Sequence, residues 1–383
     1  MAQDILHDTR RLPAEAQDAL LRPLAQAGAP GANAHSARQL LHSESWKQGS
    51  ARDRLQLAQV FGAADAPGLN RPPLGPLDPR GALDSLVKLA RSPERLLRSQ
   101  DAQGGNLLSN LATLATGPLH PSIDPARRGK LLAGVLQETA TAGQVDQHSF
   151  STCTVTSMQY ELARDTPAEY ARIMAGLAGP SGRVALRGGG ELELQPDSLP
   201  RAALQGRSLS EALFQSAAME FANGEDDYSV NGGPDGSDIS RRPDGTQYAG
   251  QHDSGEVRLL QALFARPYSA WSGTTPSDAA AQLDFLRNYQ PRGPNSPVLL
   301  NLFTQANRQG AHAVDFVRVE GDRVFFRNPW GPQGEVGQDA FPGARVENPR
   351  TGLNSISIAQ FQQLVYQVIV PEEARAYGAP AAA

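Results

Sequence analysis

Apolar positions in the first third of the chain recur at helical spacing and are interrupted by proline and glycine. Spacing of about 3.6 residues predicts helices over residues 14–25, 51–61, 82–97 and 106–115. The segment 67–79 holds prolines at positions 72, 73, 76 and 79, which exclude a helix there. We expect residues 1–125 to form a helical accessory region that is partly mobile, or that serves as a pro-segment or an export and docking segment.

The apolar pattern becomes more regular after residue 125 and first continues as helices. Helical spacing predicts helices over 126–140, 153–163, 165–177, 208–221, 256–264 and 276–288. A hairpin is expected where residues 184–186 and 191–194 flank three glycines. The polar segment 223–255 is expected to be one long loop, a length that is uncommon unless the loop has a function.

From residue 297 apolar positions alternate with polar ones, which is typical of strands. The alternation predicts strands over 297–303, 312–319, 323–327 and 366–370, with a short helix over 358–364. Helices followed by antiparallel strands give an α+β fold, whereas alternating helices and strands would give a parallel sheet. We therefore expect residues 126–383 to form one α+β domain.

Composition and charge exclude several classes of protein. Apolar residues make up 40% of the 383 residues and charged residues 20%, which suits a folded core and argues against disorder. The net charge of −5 has the wrong sign for a protein that coats nucleic acid, so no nucleic-acid partner is expected. The single cysteine excludes an intrachain disulfide and any zinc or iron–sulfur site built from a cysteine cluster.

The sequence gives no sign of a cleaved signal or of a membrane span. Its first residues lack a basic start followed by an apolar run, and no stretch of 18 apolar residues occurs. We expect a protein that is cytoplasmic or secreted by a signal-peptide-independent route. Only three of its 35 basic residues are lysines, an arginine-rich usage that is typical of GC-rich bacterial genomes.

The chemistry that the sequence suggests is centred on the lone cysteine. Cys153 stands at the start of a predicted helix, whose N-terminus stabilises a thiolate. His312 begins a predicted strand that turns near residue 321 and returns to Asn328, which places both side chains at one end of a hairpin. There His312 can act as the base for Cys153, and Asn328 can orient its ring. Trp330 can cover that hydrogen bond.

An acyl-transfer intermediate also needs hydrogen-bond donors for its oxyanion. The backbone N–H of Cys153 supplies one, and the side-chain amide of Gln147, six residues upstream, is the best candidate for the second. Gln144 is a nearby rival for this role. His148 is expected to be a loop residue and not a base, and Arg327 is expected to face outward from its strand.

The order of Gln147, Cys153, His312 and Asn328 resembles that of the papain-like cysteine peptidases. The run Asn-Pro-Trp-Gly at 328–331 is most similar to the calpain branch, and the resemblance covers about residues 126–370. It implies a two-lobed fold, with the cysteine on a helical lobe and the histidine and asparagine on an antiparallel β lobe. The chain departs from the family in the threonines on both sides of the cysteine, which alter the wall of the cleft.

The resemblance implies hydrolysis of a peptide or amide bond through a thioester on Cys153, with a protein or peptide as substrate and no cofactor. Because calpains are regulated by calcium, the acidic residues of 223–255 suggest a calcium hypothesis: Asp226, Asp227, Asp235, Asp238 and Asp244. No 12-residue loop of oxygen ligands is present, so calcium lacks support and a solvated, gating loop is the expectation.

Two other functions fit the same residues. A glutamine deamidase or transglutaminase-like toxin would use the triad Cys153, His312 and Asn328 on protein glutamines. A catalytically inactive papain-like interaction module would keep the fold and lack the activity. The bacterial composition suggests an effector or toxin delivered by a specialised secretion system. The sequence leaves the substrate, the role of residues 1–125 and the oligomeric state open.

Overall fold

The computed structural model describes residues 12–14, 16–18, 32–66, 69, 81–195, 206–233, 237–289, 296–305, 307–308, 310–331, 341 and 343–377. Most of the predicted break over 67–79, part of the predicted helix over 14–25, and Asp235 lie outside these residues.

Helices dominate the first half of the described chain and recur between the strands of the second half. They are α1 Ala32–Leu41, α2 Glu44–Lys47, α3 Ala51–Ala64, α4 Ala82–Ala90, α5 Leu107–Thr116, α6 Arg128–Ala140, α7 Cys153–Asp165, α8 Pro167–Ala178, α9 Leu209–Asn223, α10 Asp253–Phe264, α11 Pro276–Asn288 and α12 Ile358–Leu364. The helices predicted over 276–288 and 358–364 are confirmed with their predicted bounds. Of the described helices, none is both long enough and apolar enough to cross a membrane.

The helix predicted over 82–97 is too long. Helix α4 ends at Ala90, and a separate 3-10 turn follows at Leu96–Arg98. Pro93 lies between the two, and a proline disfavours helical backbone in the residue that precedes it. The apolar residues on both sides of this break share a helical spacing, which is why the sequence pattern alone joins them.

The strands form antiparallel sheets, which confirms the predicted α+β class. They are β1 Arg183–Ala185, β2 Glu191–Glu193, β3 Asp227–Ser229, β4 Ile239–Arg241, β5 Gln247–Tyr248, β6 Tyr268–Ser272, β7 Leu299–Phe303, β8 Ala311–Glu320, β9 Arg323–Arg327, β10 Arg345–Asn348, β11 Leu353–Ser357 and β12 Val365–Pro371. Strands β1 and β2 pair as the predicted hairpin. Strands β8 and β9 pair across the turn near residue 321, as predicted.

The segment 223–255 is not one loop, and this prediction is wrong. Strands β3, β4 and β5 form a small antiparallel sheet within it, and α10 begins at Asp253. Each of these strands has two or three residues, which is too short to show an alternating pattern. The prediction also misses β6, β10 and β11. All four residues of β10 are exposed, so this edge strand has no apolar face.

Contacts between Cα atoms divide the chain into two units. The first comprises Met1–Ala142, Thr166–Gly182 and Ser208–Ser210, and the second comprises Gly143–Asp165, Arg183–Arg207 and Glu211–Ala383. The predicted domain boundary between residues 125 and 126 stays a prediction about domain organisation. Every candidate site residue belongs to the second unit.

A seven-stranded antiparallel sheet is the centre of the second unit. Its strand order is β10-β11-β9-β8-β7-β12-β6. Side chains from these strands form an apolar core with side chains from α11 and α12. The fully buried residues of this core include Leu300, Val314, Phe326 and Phe361. Burial of one such side chain stabilises the fold by roughly 1.5 to 3 kcal/mol. This core holds β8 and β9, the strands that carry His312 and lead into Asn328, in fixed register.

A tight turn ends β9 and determines where Asn328 lies. The backbone N–H of Asn328 donates to the carbonyl of Gly352 at 2.9 Å, and the N–H of Gly331 donates to the carbonyl of Asn328 at 3.2 Å. Gly331 has a φ of +75°, in the left-handed region that favours glycine. A Cβ at this position would lie 2.0 Å from Oδ2 of Asp146, so the turn requires glycine for space as well as for conformation.

We expect Gly331→Ala to destabilise the protein more than Gly321→Ala does. Gly321 also has a positive φ, of +59°, but a Cβ there would meet no atom within 4 Å. Gly321→Ala should therefore lower the free energy of unfolding only by the strain of a left-handed alanine, about 1 to 2 kcal/mol. Gly331→Ala adds the clash with Asp146, about 1 to 3 kcal/mol more. Urea unfolding of both variants measures the difference, and equal losses would contradict the steric argument.

Candidate active site

Helix α7 begins at Cys153, as the sequence predicts. The first turn closes with the N–H of Thr156 donating to the carbonyl of Thr152 at 2.9 Å. The apolar face predicted for this helix, with Val155 and Met158, is fully buried. Cys153 is half-buried at the start of the helix, and its two neighbours, Thr152 and Thr154, are buried.

His312 and Asn328 are joined by a direct hydrogen bond, which confirms their predicted approach across the hairpin. Nε2 of His312 lies 2.9 Å from Oδ1 of Asn328, and the backbone N–H of Trp330 donates to the same oxygen at 3.1 Å. Because an amide oxygen only accepts, the His312 ring must carry its proton on Nε2. Nδ1 is then left as the basic nitrogen.

Aromatic rings cover the His312 imidazole. The Trp330 ring stacks on it with the centroids 4.0 Å apart and the planes inclined by 17°. The Phe341 ring lies 5.8 Å away on a tilted plane. His312 is 3% exposed, so the hydrogen bond to Asn328 is kept out of water. The sequence-based role of Trp330 as a cover for this bond agrees with these contacts.

One cavity brings the candidate groups together. It has a volume of about 400 Å³ and is lined by Gln147, Cys153, His312, Glu256, Asn301 and Trp330, among others. The backbone N–H of Ala313 donates to Sγ of Cys153 at 3.5 Å, which ties the thiol to the strand that carries His312. The cavity is within the size range of sites that bind small ligands or single side chains.

Gln147, the predicted oxyanion donor, lines the same cavity as Cys153 and His312. Its backbone N–H donates to the carbonyl of Pro329 at 2.9 Å, which fixes this loop to the turn that follows Asn328. Its Nε2 donates to the carbonyl of Phe150 at 2.6 Å, and Oε1 has no hydrogen-bond partner among the described residues. A primary amide has two N–H groups, so one remains for a ligand. Gln144, the rival, is not among the residues that line this cavity.

The Cys153 thiol has a raised pKa, chiefly because it is buried. The negative charge of Glu256 raises this pKa further, whereas the N–H groups of Ala313 and Thr154 lower it. The sequence predicts a thiolate stabilised by the helix N-terminus, but burial outweighs that effect in the structure. The resting thiol is therefore protonated at neutral pH.

Burial lowers the pKa of His312 to about 4. The hydrogen bond to Asn328 opposes this shift, because the Asn328 oxygen stabilises the charged ring, and the positive charge of Arg327 adds to it. The imidazole is consequently neutral at neutral pH and can accept a proton. The resting pair is a neutral thiol beside a neutral base, and not an ion pair.

Glu256 is a site residue that the sequence reasoning misses. It lies in the first turn of α10 and is 5% exposed. Oγ1 of Thr154 donates to its Oε1 at 2.6 Å, and Nδ2 of Asn301 donates to its Oε2 at 2.6 Å. A single glutamate near the start of a helix is most often a surface residue, so the sequence carried no signal for it.

Arg327 does not face outward, and that prediction is wrong. It is 1% exposed, and its Nη2 donates to the carbonyl of Val145. Its guanidinium lies 4.6 Å from the centre of the Tyr160 ring, and Asp315 is its partner across the sheet. Burial raises the pKa of Asp315 to about 7, and the charge of Arg327 opposes the shift. Arg327 thus links the end of β9 to α7 and to the Gln147 loop.

The other candidates lie away from the cavity lining. His148 has a φ of +53° and lies 3.9 Å from the carboxylate of Asp146. Asp226 accepts from the Tyr248 hydroxyl, and Asp238 is buried and accepts from the Ser151 N–H. Among the residues that the structure describes, no group of three or more His, Cys, Asp and Glu is arranged to hold a metal. Whether a cofactor is needed stays a prediction.

No protein-family model, no curated protein and no solved structure matches this chain. The resemblance to papain-like peptidases therefore depends on the residues named above and on their arrangement.

Proposed function

We propose that this chain is a papain-like cysteine peptidase that hydrolyses a peptide or amide bond through a thioester on Cys153. The observation that carries the proposal is the cavity in which Cys153, His312 and Gln147 meet, with Asn328 bonded to the far side of the His312 ring. A nucleophile, a base, a group that orients the base and an oxyanion donor are the parts that acyl transfer requires. We infer that α7 and the seven-stranded sheet correspond to the two lobes of that fold.

The first half of the reaction acylates the cysteine. Nδ1 of His312 takes the proton of Cys153 as Sγ attacks the carbonyl carbon of the substrate. The resulting oxyanion accepts hydrogen bonds from the Cys153 N–H and from the second N–H of the Gln147 amide. The imidazolium then gives its proton to the leaving nitrogen, the C–N bond breaks, and an amine leaves behind a thioester on Cys153.

The second half restores the enzyme. Nδ1 of His312 takes a proton from water, whose oxygen attacks the thioester carbonyl. The tetrahedral intermediate collapses, the C–S bond breaks, and the imidazolium returns its proton to the sulfur of Cys153. The products are a carboxylic acid and the free thiol. Throughout both halves Asn328 keeps the Nε2–H of His312 in place, so the same nitrogen serves as base and acid.

A catalytically inactive module is the second candidate, because one observation favours it. Burial and the Glu256 charge raise the pKa of Cys153, whereas a reactive cysteine normally has a lowered pKa. The peptidase proposal accounts for this through proton transfer to His312 during attack, which needs no thiolate in the resting state. The delivery of the chain as a bacterial effector or toxin is a further part of this proposal, suggested by its composition alone.

We expect Cys153→Ala to lower peptide hydrolysis by at least about 10³-fold, because no other thiol in the chain can replace the nucleophile. A panel of peptide substrates measures this loss, and labelling by a peptidyl epoxide should disappear in the same variant. Equal hydrolysis by the two proteins would overturn the proposal. Release of ammonia from glutamine substrates without backbone cleavage would assign the triad to a deamidase instead.

The pH profile should follow the lowered pKa of His312. The ring must be neutral to accept the thiol proton, so kcat/KM should be constant near neutral pH and fall only as the pH drops through about 4. An exposed histidine would give a fall near its ordinary pKa of about 6.5. Rates measured from pH 3 to 8 decide between these values, and a fall near 6.5 would contradict the buried neutral base.

An active peptidase and an inactive module would differ in how the Cys153 thiol reacts. If His312 is the base, His312→Ala should slow labelling of Cys153 by a peptidyl epoxide about 10²-fold at neutral pH. In an inactive module, labelling would follow the titration of an isolated thiol and would be the same in both proteins. Arg318→Ala, a change at a partly exposed residue of β8 that does not line the cavity, serves as the control and should leave the labelling rate unchanged.

A further inference from the structure

We propose that Gln215 is a positioning residue for the oxyanion site, because it holds the two ends of the segment that carries both oxyanion donors. This inference rests on the proposed peptidase function and adds a residue to its machinery. The donors of that function are the side-chain amide of Gln147 and the backbone N–H of Cys153. Gln215 acts through the residues that precede them, Asp146 and Thr152, and is hydrogen-bonded to both.

The Gln215 side chain lies on α9 and is fully buried, and its amide makes four hydrogen bonds. Nε2 donates to the carbonyl of Asp146 at 2.9 Å and to Oε1 of Gln159, on α7, at 3.0 Å. Oε1 accepts from Oγ1 of Thr152 at 3.0 Å and from Nη1 of Arg207 at 3.3 Å. Because a primary amide has two N–H groups and an oxygen with two lone pairs, these bonds fix the orientation of the group.

Helix α9 holds the Asp146 backbone at both of its polar groups. Oε1 of Glu211, one turn before Gln215, accepts from the Asp146 N–H at 2.8 Å. Residues four apart in a helix lie on the same face, so Glu211 and Gln215 reach one point of the chain together. Gln147 follows directly, and its own N–H donates to the carbonyl of Pro329. The start of the donor segment is therefore fixed to α9 and to the turn after β9.

The bond to Gln215 gives a role to Thr152, one of the two threonines at which the chain departs from the papain-like family. Thr152 is fully buried and is not among the residues that line the cavity, so the expectation that it alters the wall of the cleft is wrong. Its hydroxyl donates to Gln215, and its carbonyl accepts from the Thr156 N–H in the first turn of α7. Gln215 thus fixes the point at which the helix that begins with Cys153 starts.

The spacing of the two donors matters because an oxyanion site stabilises charge only if its donors are already in place. A displacement of about 1 Å can lower the rate about 10²-fold. Both donors belong to the segment 146–153, and one planar amide is bonded near each end of this segment. Loss of that bridge should therefore slow reactions that form an oxyanion, and should leave unchanged a reaction of the thiol that forms none.

The test removes one end of the bridge with Thr152→Val and keeps it with Thr152→Ser. Valine has nearly the shape of threonine, and Oε1 of Gln215 still accepts from Arg207 in that variant, so it keeps a partner. Thr156→Val is the matched control. It removes a hydroxyl from a fully buried threonine one turn along α7, 3.3 Å from that of Thr152, and leaves the bond between Thr152 and Gln215 intact.

Hydrolysis of a peptide substrate gives the first readout. We expect Thr152→Val to lower kcat at least about tenfold while KM changes less than about threefold, since the lost alignment acts on the transition state. Thr152→Ser and Thr156→Val should keep kcat within about threefold of the wild type. Alkylation of Cys153 by iodoacetamide forms no oxyanion, so its rate should be the same in all variants. Wild-type kcat in Thr152→Val, or an alkylation rate that falls as much as kcat, would overturn the inference.

A double-variant cycle assigns the effect to Gln215. Gln215→Met keeps the length of the side chain and removes all four hydrogen bonds, so it should lower kcat at least as much as Thr152→Val does. In the Gln215→Met protein, adding Thr152→Val should lower kcat by less than about threefold more, because the bridge is already lost. Additive losses would contradict a shared role. If urea unfolding shows that Gln215→Met does not fold, the comparison of Thr152→Val with Thr152→Ser decides alone.

Binding of a peptide aldehyde does not depend on hydrolysis and separates the two proposals. Sγ of Cys153 adds to the aldehyde carbon and the thiol proton passes to the carbonyl oxygen, so a hemithioacetal forms without a co-reactant. Thr152→Val should weaken this binding at least about tenfold, and Thr152→Ser less than about threefold. If these shifts appear while the wild type cleaves no peptide, Gln215 keeps its role and the peptidase proposal fails. If the wild type and Thr152→Val cleave peptides equally, the peptidase stands and the role of Gln215 fails. If the wild type neither cleaves peptides nor binds the aldehyde, both fail.

Discussion

The hydrogen bond from Nε2 of His312 to Oδ1 of Asn328 is the interaction on which the rest of the site depends. It fixes the tautomer of the ring and leaves Nδ1 as the basic nitrogen. The turn after β9 positions the Asn328 oxygen, and the Trp330 ring shields the hydrogen bond from water. The carbonyl of Pro329, in the same turn, accepts a hydrogen bond from the Gln147 backbone N–H. One short segment therefore positions the His312 ring and also anchors the loop that carries Gln147.

Burial sets the charge state of the site. It lowers the pKa of His312 and raises that of Cys153, so both groups are neutral at rest. The helix N-terminus at Cys153 favours a thiolate but is outweighed, because the thiol is desolvated and Glu256 is close. In the proposed reaction, attack by Cys153 must then be coupled to proton transfer within the site.

Site residues whose position follows from the local apolar pattern could be predicted from the sequence. Site residues whose position follows from contacts between distant segments could not. Apolar alternation located β8 and β9, and the turn between them placed His312 opposite Asn328. Glu256 lies at the cavity because the fold brings it against Thr154, about a hundred positions away in the chain. The alternation along β9 predicts that the Arg327 side chain faces solvent. Arg327 is nevertheless buried, because α7 covers the face of the strand on which it lies.

The proposed function requires that Cys153 form a thioester with the help of His312. Mixing the wild type with a slowly hydrolysed peptide ester, quenching in acid and measuring the intact mass tests it directly. We expect an added mass equal to the acyl part of the ester, located by digestion on the fragment that contains Cys153, and much less of it in His312→Ala. Product formed at steady state with no adduct on that fragment would contradict thioester formation on Cys153.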